Sequence, residues 1–212
     1  MLENRINRRA ILHGTITLAG TLAAGQLNAG KAQPHQPTLS SQRKGILLAV
    51  DLQNGFLISP ECKAVVSKVV ERASQFHQVW ATRFFNRNAN FSRQLNWNEM
   101  VSGQSTELST ILSPVVSKTF DKPSYSPVSQ ALLQALLRDA ITTVAVCGVD
   151  TDACVMATAL GLFDAGFETF VVSDGCASSG GQEYHEAAIK ILERNIGAQY
   201  VISFNELPAM LS

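Results

Sequence analysis

Apolar positions along this chain fall into two kinds of run, and the two kinds alternate. Gly45–Val50 (GILLAV) is short, continuous and apolar, the pattern of a strand buried on both faces. Similar short runs recur at Gln78–Arg83, Val115–Lys118, Thr142–Val146, Glu168–Val172 and Gln199–Ser203. Between them the spacing becomes helical. In Glu61–Phe76, Val65, Val66, Val69, Val70 and Ala73 share one side. Ser126-Pro127 predicts a helix start, with serine as N-cap and proline at the first position, ahead of Leu132, Leu133, Leu136 and Leu137. Thr151–Ala165 predicts a helix closed by Gly166, and Gln182–Asn195 one closed near Gly197. This alternation predicts an α/β fold, a parallel sheet with helices on both faces. Such sheets bind ligands beyond the carboxyl ends of their strands.

Two stretches break the rhythm. Phe84–Pro114 has no clear period but carries Phe84, Phe85, Phe91 and Trp97, which predicts a partly helical insertion covering the site. Residues 1–32 begin with Arg5, Arg8 and Arg9, continue through a mildly apolar stretch free of charge, and end among small residues. That order predicts an export signal, and Arg8-Arg9 resembles a twin-arginine signal with Asn7 ahead of the pair. The expected location is therefore periplasmic or otherwise exported, against the alternative of an extension on a cytoplasmic protein. The apolar stretch is too short for a membrane span, which takes about 20 residues. Residues 33–43, with Pro34 and Pro37, read as a linker, so the folded domain is expected over 44–212.

Composition narrows the function class. With 46% hydrophobic and 16% charged residues in 212, the chain is not intrinsically disordered and fits one domain. Lys and Arg number 17, Asp and Glu 17, so no basic excess points to a nucleic-acid partner. Four cysteines are too few for a disulfide scaffold.

The chemistry lies at strand ends. Asp51 directly follows the first predicted strand, Lys122 comes shortly after the third, and Cys154 sits just past the fourth in GVDTDACV. The strand-end rule brings an acid, a base and a thiol to one edge of the sheet, a candidate nucleophilic site. Thr151 as N-cap would put Cys154 in the first turn of its helix, where the positive helix end favours a thiolate. Among the other cysteines, Cys147 lies inside a strand and reads as core. Cys62 lacks a partner group, and Cys176 follows the fifth strand, from where it can approach the site.

LLAVDLQNGF, KPSYS and GVDTDACVMATALGLFDAGFETFVVSDGCAS resemble, in order, the signature regions of the isochorismatase-like cysteine hydrolase family. The resemblance covers about residues 44–203 and implies a six-stranded, mostly parallel, doubly wound sheet. It implies an Asp–Lys–Cys catalytic triad at Asp51, Lys122 and Cys154, with Lys122 preferred over Lys118 because Tyr125-Ser126 follows three residues on. It also implies a cis peptide at Val149–Asp150 and an oxyanion hole made by the backbone N–H groups of Asp150 and Cys154. Pro127 and Val128 depart from the family's usual alanine and aromatic, which alters one pocket wall.

The Asp150 side chain either enters the pocket, selecting a cationic or donor substrate, or caps the following helix with Thr151; the cap is the expectation. Gln53, Phe56, Phe84, Phe85, Trp97 and Tyr125 are expected to line the substrate pocket, with Gln53 alternatively tying down its own loop. Nicotinamidases of this family hold a metal through an Asp and two His after the second strand, and ATRFFNRNANFSRQLNWN contains no histidine. His13, His35, His77 and His185 lie elsewhere, so no metal or other cofactor is expected. The expected activity is hydrolysis of a C–N bond (amide, ureide or N-carbamoyl) in a small molecule through a thioester. The alternatives are vinyl ether hydrolysis and a non-catalytic binding role. The family resemblance further implies a homo-oligomer.

Overall fold

Strand β1 (Lys44–Val50) runs through the centre of the sheet, as its unbroken apolar sequence requires: Ile46 to Val50 are all fully buried. The computed structural model describes residues 44–207; the expected export signal and linker, and residues 208–212, lie outside the described residues. Beside β1 stand β2 (Gln78–Phe84) and β4 (Ile141–Val149), both parallel to it. β3 (Val116–Lys122) flanks β2, while β5 (Glu168–Ala177) and β6 (Val201–Ile202) extend the other side. The six strands are ordered β3-β2-β1-β4-β5-β6, and every pairing is parallel. The chain builds outward from β1 in one direction, then crosses back and builds outward in the other. Doubly wound sheets open a ligand crevice where the order reverses, here between β1 and β4.

Helices α1 (Pro60–Arg72), α3 (Gln130–Arg138), α4 (Met156–Asp164) and α5 (Gln182–Ile196) complete the three layers. Ser59 caps α1 by accepting the Cys62 N–H at 3.1 Å, with Pro60 at the first position. α5 stops at Gly197, whose φ of 103° ends the helix without steric cost. One apolar core runs the length of the sheet. A smaller cluster of Phe84, Phe91 and Met100, joined by Phe56 and Trp97, sits outside it. No helix among the described residues is long and apolar enough to cross a membrane.

Several boundaries differ from the sequence expectation. β3 runs to Lys122 rather than stopping at Lys118, because an edge strand exposes alternate residues and its polar half hides it from an apolar-run search. α3 begins at Gln130, not Pro127. The Ser126 hydroxyl accepts the Val128 N–H at 3.2 Å in a local turn, and Ser129 supplies the cap. β5 continues to Ala177, so Cys176 lies within it rather than after it. β6 shrinks to two residues because Ala198–Tyr200 forms a single tight turn. The insertion contains one short helix, α2 (Ala89–Leu95), amid turns.

β4 meets β1 closely where the crevice opens. A Cβ on Gly148 would stand 2.1 Å from the Val50 carbonyl oxygen, and Gly148 has φ +125°. Gly148→Ala is therefore expected to cost about 3 kcal/mol or more, read as a lower urea midpoint. An unchanged midpoint would refute the close approach.

Candidate active site

Asp51 turns the chain at the end of β1 with φ 52°, a conformation aspartate tolerates better than most side chains. It is fully buried and fixed by the neighbouring strand. Its N–H donates to Thr82 Oγ1 at 3.1 Å, and its Oδ1 accepts the same hydroxyl at 2.6 Å. Thr82 went unnoticed in the sequence, where it is one polar residue in QVWATR; its inward position in β2 is what matters. Asp51 Oδ2 takes no aligned hydrogen bond, although the Lys122 ammonium lies 2.7 Å away as an ion pair.

Lys122 is the last residue of β3, and only 4% of its surface is exposed. Its Nζ also donates to the Ser124 carbonyl at 2.8 Å, the Tyr125 carbonyl at 2.9 Å and Cys154 Sγ at 3.3 Å. It lies 5.2 Å from the centre of the Phe84 ring. Acid, ammonium and thiol thus meet within hydrogen-bonding reach although their positions are distant in sequence. Lys118 pairs instead with Asp139, away from this cluster.

Cys154 sits in a widened helical turn, Thr151–Val155, before α4. Its setting differs from that expected of a helix-end thiolate. Burial pushes the thiol well above its ordinary range, the Asp51 carboxylate adds to this, and the Lys122 ammonium opposes it. The direction favours the protonated thiol over the thiolate. Neither Thr151 nor Asp150 caps the turn through its side chain. Thr151 Oγ1 instead bonds His185 Nδ1 at 2.8 Å. Asp150 reaches across to the loop after β5, where its two oxygens accept the Ser179 N–H and hydroxyl, each at 2.7 Å. The Val149–Asp150 peptide is cis.

Above Cys154 opens a cavity of about 300 Å³. Phe56, Phe84, Trp97 and Tyr125 line it, as do Asp150 and Cys154. Gln53 does not. It is fully buried, its amide donating to the Phe84 and Thr106 carbonyls at 3.0 and 2.7 Å and its oxygen accepting the Phe84 N–H at 2.7 Å. Its side chain is consumed in pinning the insertion to β2. Phe85 does not line the cavity either: adjacent residues at a strand end point oppositely, and its ring packs against the Arg83 and Arg87 guanidiniums, 5.2 and 4.8 Å away. Lining residues the sequence did not single out are Gly55, Ile58, Phe91, Glu99, Ala153 and Ser179. Of these only Phe91 carried a signal, as one of the aromatics of the insertion.

Among the described residues the cysteines 62, 147, 154 and 176 are free and buried. Burial pushes the Cys176 thiol up to about 12. Among the same residues no three His, Cys, Asp or Glu side chains cluster as metal ligands would. His77 is exposed and the His185 Nδ1 is engaged with Thr151.

A thiol, a carboxylate and an ammonium thus meet beyond the strand ends of a doubly wound α/β sheet. Residues 45–203 match the family model described as Isochorismatase domain, and the chain belongs to that family of hydrolases. It is 45% identical over 38 residues to isochorismatase domain-containing protein 2 of Xenopus laevis, a stretch covering 18% of this chain and 18% of that protein. Solved structures match over far more of the chain. The Acinetobacter baumanii nicotinamidase/pyrazinamidase superposes with TM-score 0.66 at 21% identity, covering 78% of this chain and 99% of that one. N-carbamoylsarcosine amidase from Thermoplasma acidophilum gives 0.64 at 21%, covering 77% and 98%. At such identity these likenesses establish the fold.

Proposed function

We propose that this chain hydrolyses a C–N bond of a small amide, ureide or N-carbamoyl compound through a thioester on Cys154. The observation that carries the reading is Lys122 Nζ standing 3.3 Å from Cys154 Sγ and 2.7 Å from Asp51 Oδ2 beneath an open cavity. The structural likeness to N-carbamoylsarcosine amidase and to the Acinetobacter nicotinamidase supports it.

In this mechanism Asp51 Oδ2, which lacks an aligned hydrogen bond, takes the thiol proton as Sγ attacks the substrate carbonyl carbon. Lys122 holds the developing thiolate and the carboxyl group in place. The carbonyl π pair moves to oxygen, where the backbone N–H groups of Asp150 and Cys154 hold the oxyanion. Collapse breaks the C–N bond, and Asp51 returns its proton to the leaving nitrogen. Water then gives a proton to Asp51 and its oxygen attacks the thioester. The C–S bond breaks, and Sγ recovers the proton. Because the protonated thiol is favoured, proton transfer and attack are coupled.

Intact mass spectrometry of the full chain and of Cys154→Ala, incubated with a panel of small amides, ureides and N-carbamoyl compounds, tests this. The expected result is product from wild type alone, with a transient acyl adduct on wild type where deacylation is slow. Equal product from Cys154→Ala would exclude the thioester.

A further inference from the structure

The charge around the cavity is one-sided. Among the described residues lining it there is no Lys, Arg or His, whereas Asp150 and Glu99 both contribute. Lys122, the nearest cation, is already committed to Asp51, to two backbone carbonyls and to Cys154. Asp150 is held by Ser179 through neutral hydrogen bonds alone. Burial pushes its carboxyl up, the Ser179 hydrogen bonds oppose this, and the charges of Asp152 and Asp51 add to it; among the described residues no ion pair to Asp150 is formed.

The walls are aromatic and fixed against one another. Trp97 stacks on Phe84 with ring centres 5.4 Å apart and 16° between planes. Phe91 stands edge-on to Phe84, Trp97 and Tyr125, at 5.1, 5.7 and 5.2 Å. Gln53 locks Phe84, and Asn86 holds the Trp97 and Glu99 carbonyls at 3.0 Å each. Rings held rigidly beside carboxylates attract a cation through both charge and ring quadrupole.

We infer that this cavity selects substrates carrying a positive charge, an alkylammonium or quaternary ammonium group, beside the scissile bond. The inference deepens the proposed hydrolysis by naming the substrate class of the same cavity. With the scissile carbonyl over Cys154, the cation lies among Trp97, Tyr125, Glu99 and Asp150. A volume of about 300 Å³ holds a small molecule of this kind.

Three compounds of nearly one shape separate charge from size: choline, neutral 3,3-dimethylbutan-1-ol and anionic 3,3-dimethylbutanoate. Each is titrated into full-length Cys154→Ala, which keeps the cavity but cannot form the thioester, with tryptophan fluorescence and calorimetry as readouts. Choline is expected to bind about tenfold more tightly than the alcohol, and the carboxylate more weakly than either. Glu99→Gln, an exposed position whose change leaves the fold intact, is expected to weaken choline about threefold and leave the alcohol unchanged. Alcohol binding as tightly as choline, a carboxylate preference, or no saturable choline binding would each overturn the inference. Because this readout needs no turnover, choline binding here together with no product from wild type on the amide, ureide and N-carbamoyl panel would sink the amidase reading and leave cation selection standing.

Discussion

Asp51→Asn is expected to lower kcat/KM by about 10⁴-fold or more while making Cys154 easier to alkylate. The two effects have opposite signs because Asp51 acts on Cys154 in two ways. Its charge pushes the thiol up, and Lys122 pulls it down. Asparagine keeps the shape, removes the charge and leaves Lys122 unopposed, 3.3 Å from the sulfur. The thiolate then forms at lower pH, so iodoacetamide labelling of Cys154 accelerates at neutral pH and its rise is displaced downward. Turnover still collapses, since asparagine cannot take the thiol proton or return it to the leaving nitrogen. Peptide mass spectrometry against a pH series measures the labelling, and steady-state kinetics on the amide found by product formation measures turnover. An Asn variant labelled more slowly than wild type would contradict the electrostatic account, and one with near-wild-type kcat/KM would remove Asp51 as the base. Cys176, pushed up to about 12 by burial, serves as the internal slow reference.

Lys122→Met is expected to destabilise the protein as well as silence it. The methionine fills much of the same space but abandons Asp51, which has no exposed surface and no other cation within ion-pair distance among the described residues. An uncompensated buried charge costs about 3–5 kcal/mol. The Ser124 and Tyr125 carbonyls lose their donor as well. For a domain of this size the Tm should fall by about 10 °C or more. In Asp51→Asn/Lys122→Met neither charge remains, so most of the lost stability returns while turnover does not. Thermal and urea denaturation of the two single variants and the double variant decide the matter. A Lys122→Met protein as stable as wild type would mean that the pair contributes nothing to the fold.

The parts of this protein visible in the sequence are those set by local pattern. GILLAV has the pattern of a strand buried on both faces, and it forms the centre of the sheet. The glycines at 166 and 197 end helices because each takes a positive φ. Asp51, Lys122 and Cys154 were picked out by one rule, that functional side chains gather beyond strand ends, joined to motif resemblance. What failed was whatever depended on a partner distant in sequence. Gln53 had the chemistry of a substrate ligand, yet three hydrogen bonds to Phe84 and Thr106 use it up, in line with the alternative that it ties down its loop. Phe85 had the same apolar character as Phe84, but strand geometry turned one ring to the cavity and the other to Arg83 and Arg87. Asp150 sits where a cap belongs and instead spans to Ser179.

The order of apolar and polar residues therefore determined the α/β class, the strand at its centre and which groups meet at its edge, because hydrophobic burial and strand direction are written locally. Only the tertiary structure decided that Thr82 fixes Asp51, that Cys154 is buried beside Asp51 and Lys122, and that acids and aromatic rings line one cavity. Those outcomes depend on distances between side chains from different strands, and on how much water the packed insertion leaves around them, quantities that no single stretch of sequence contains.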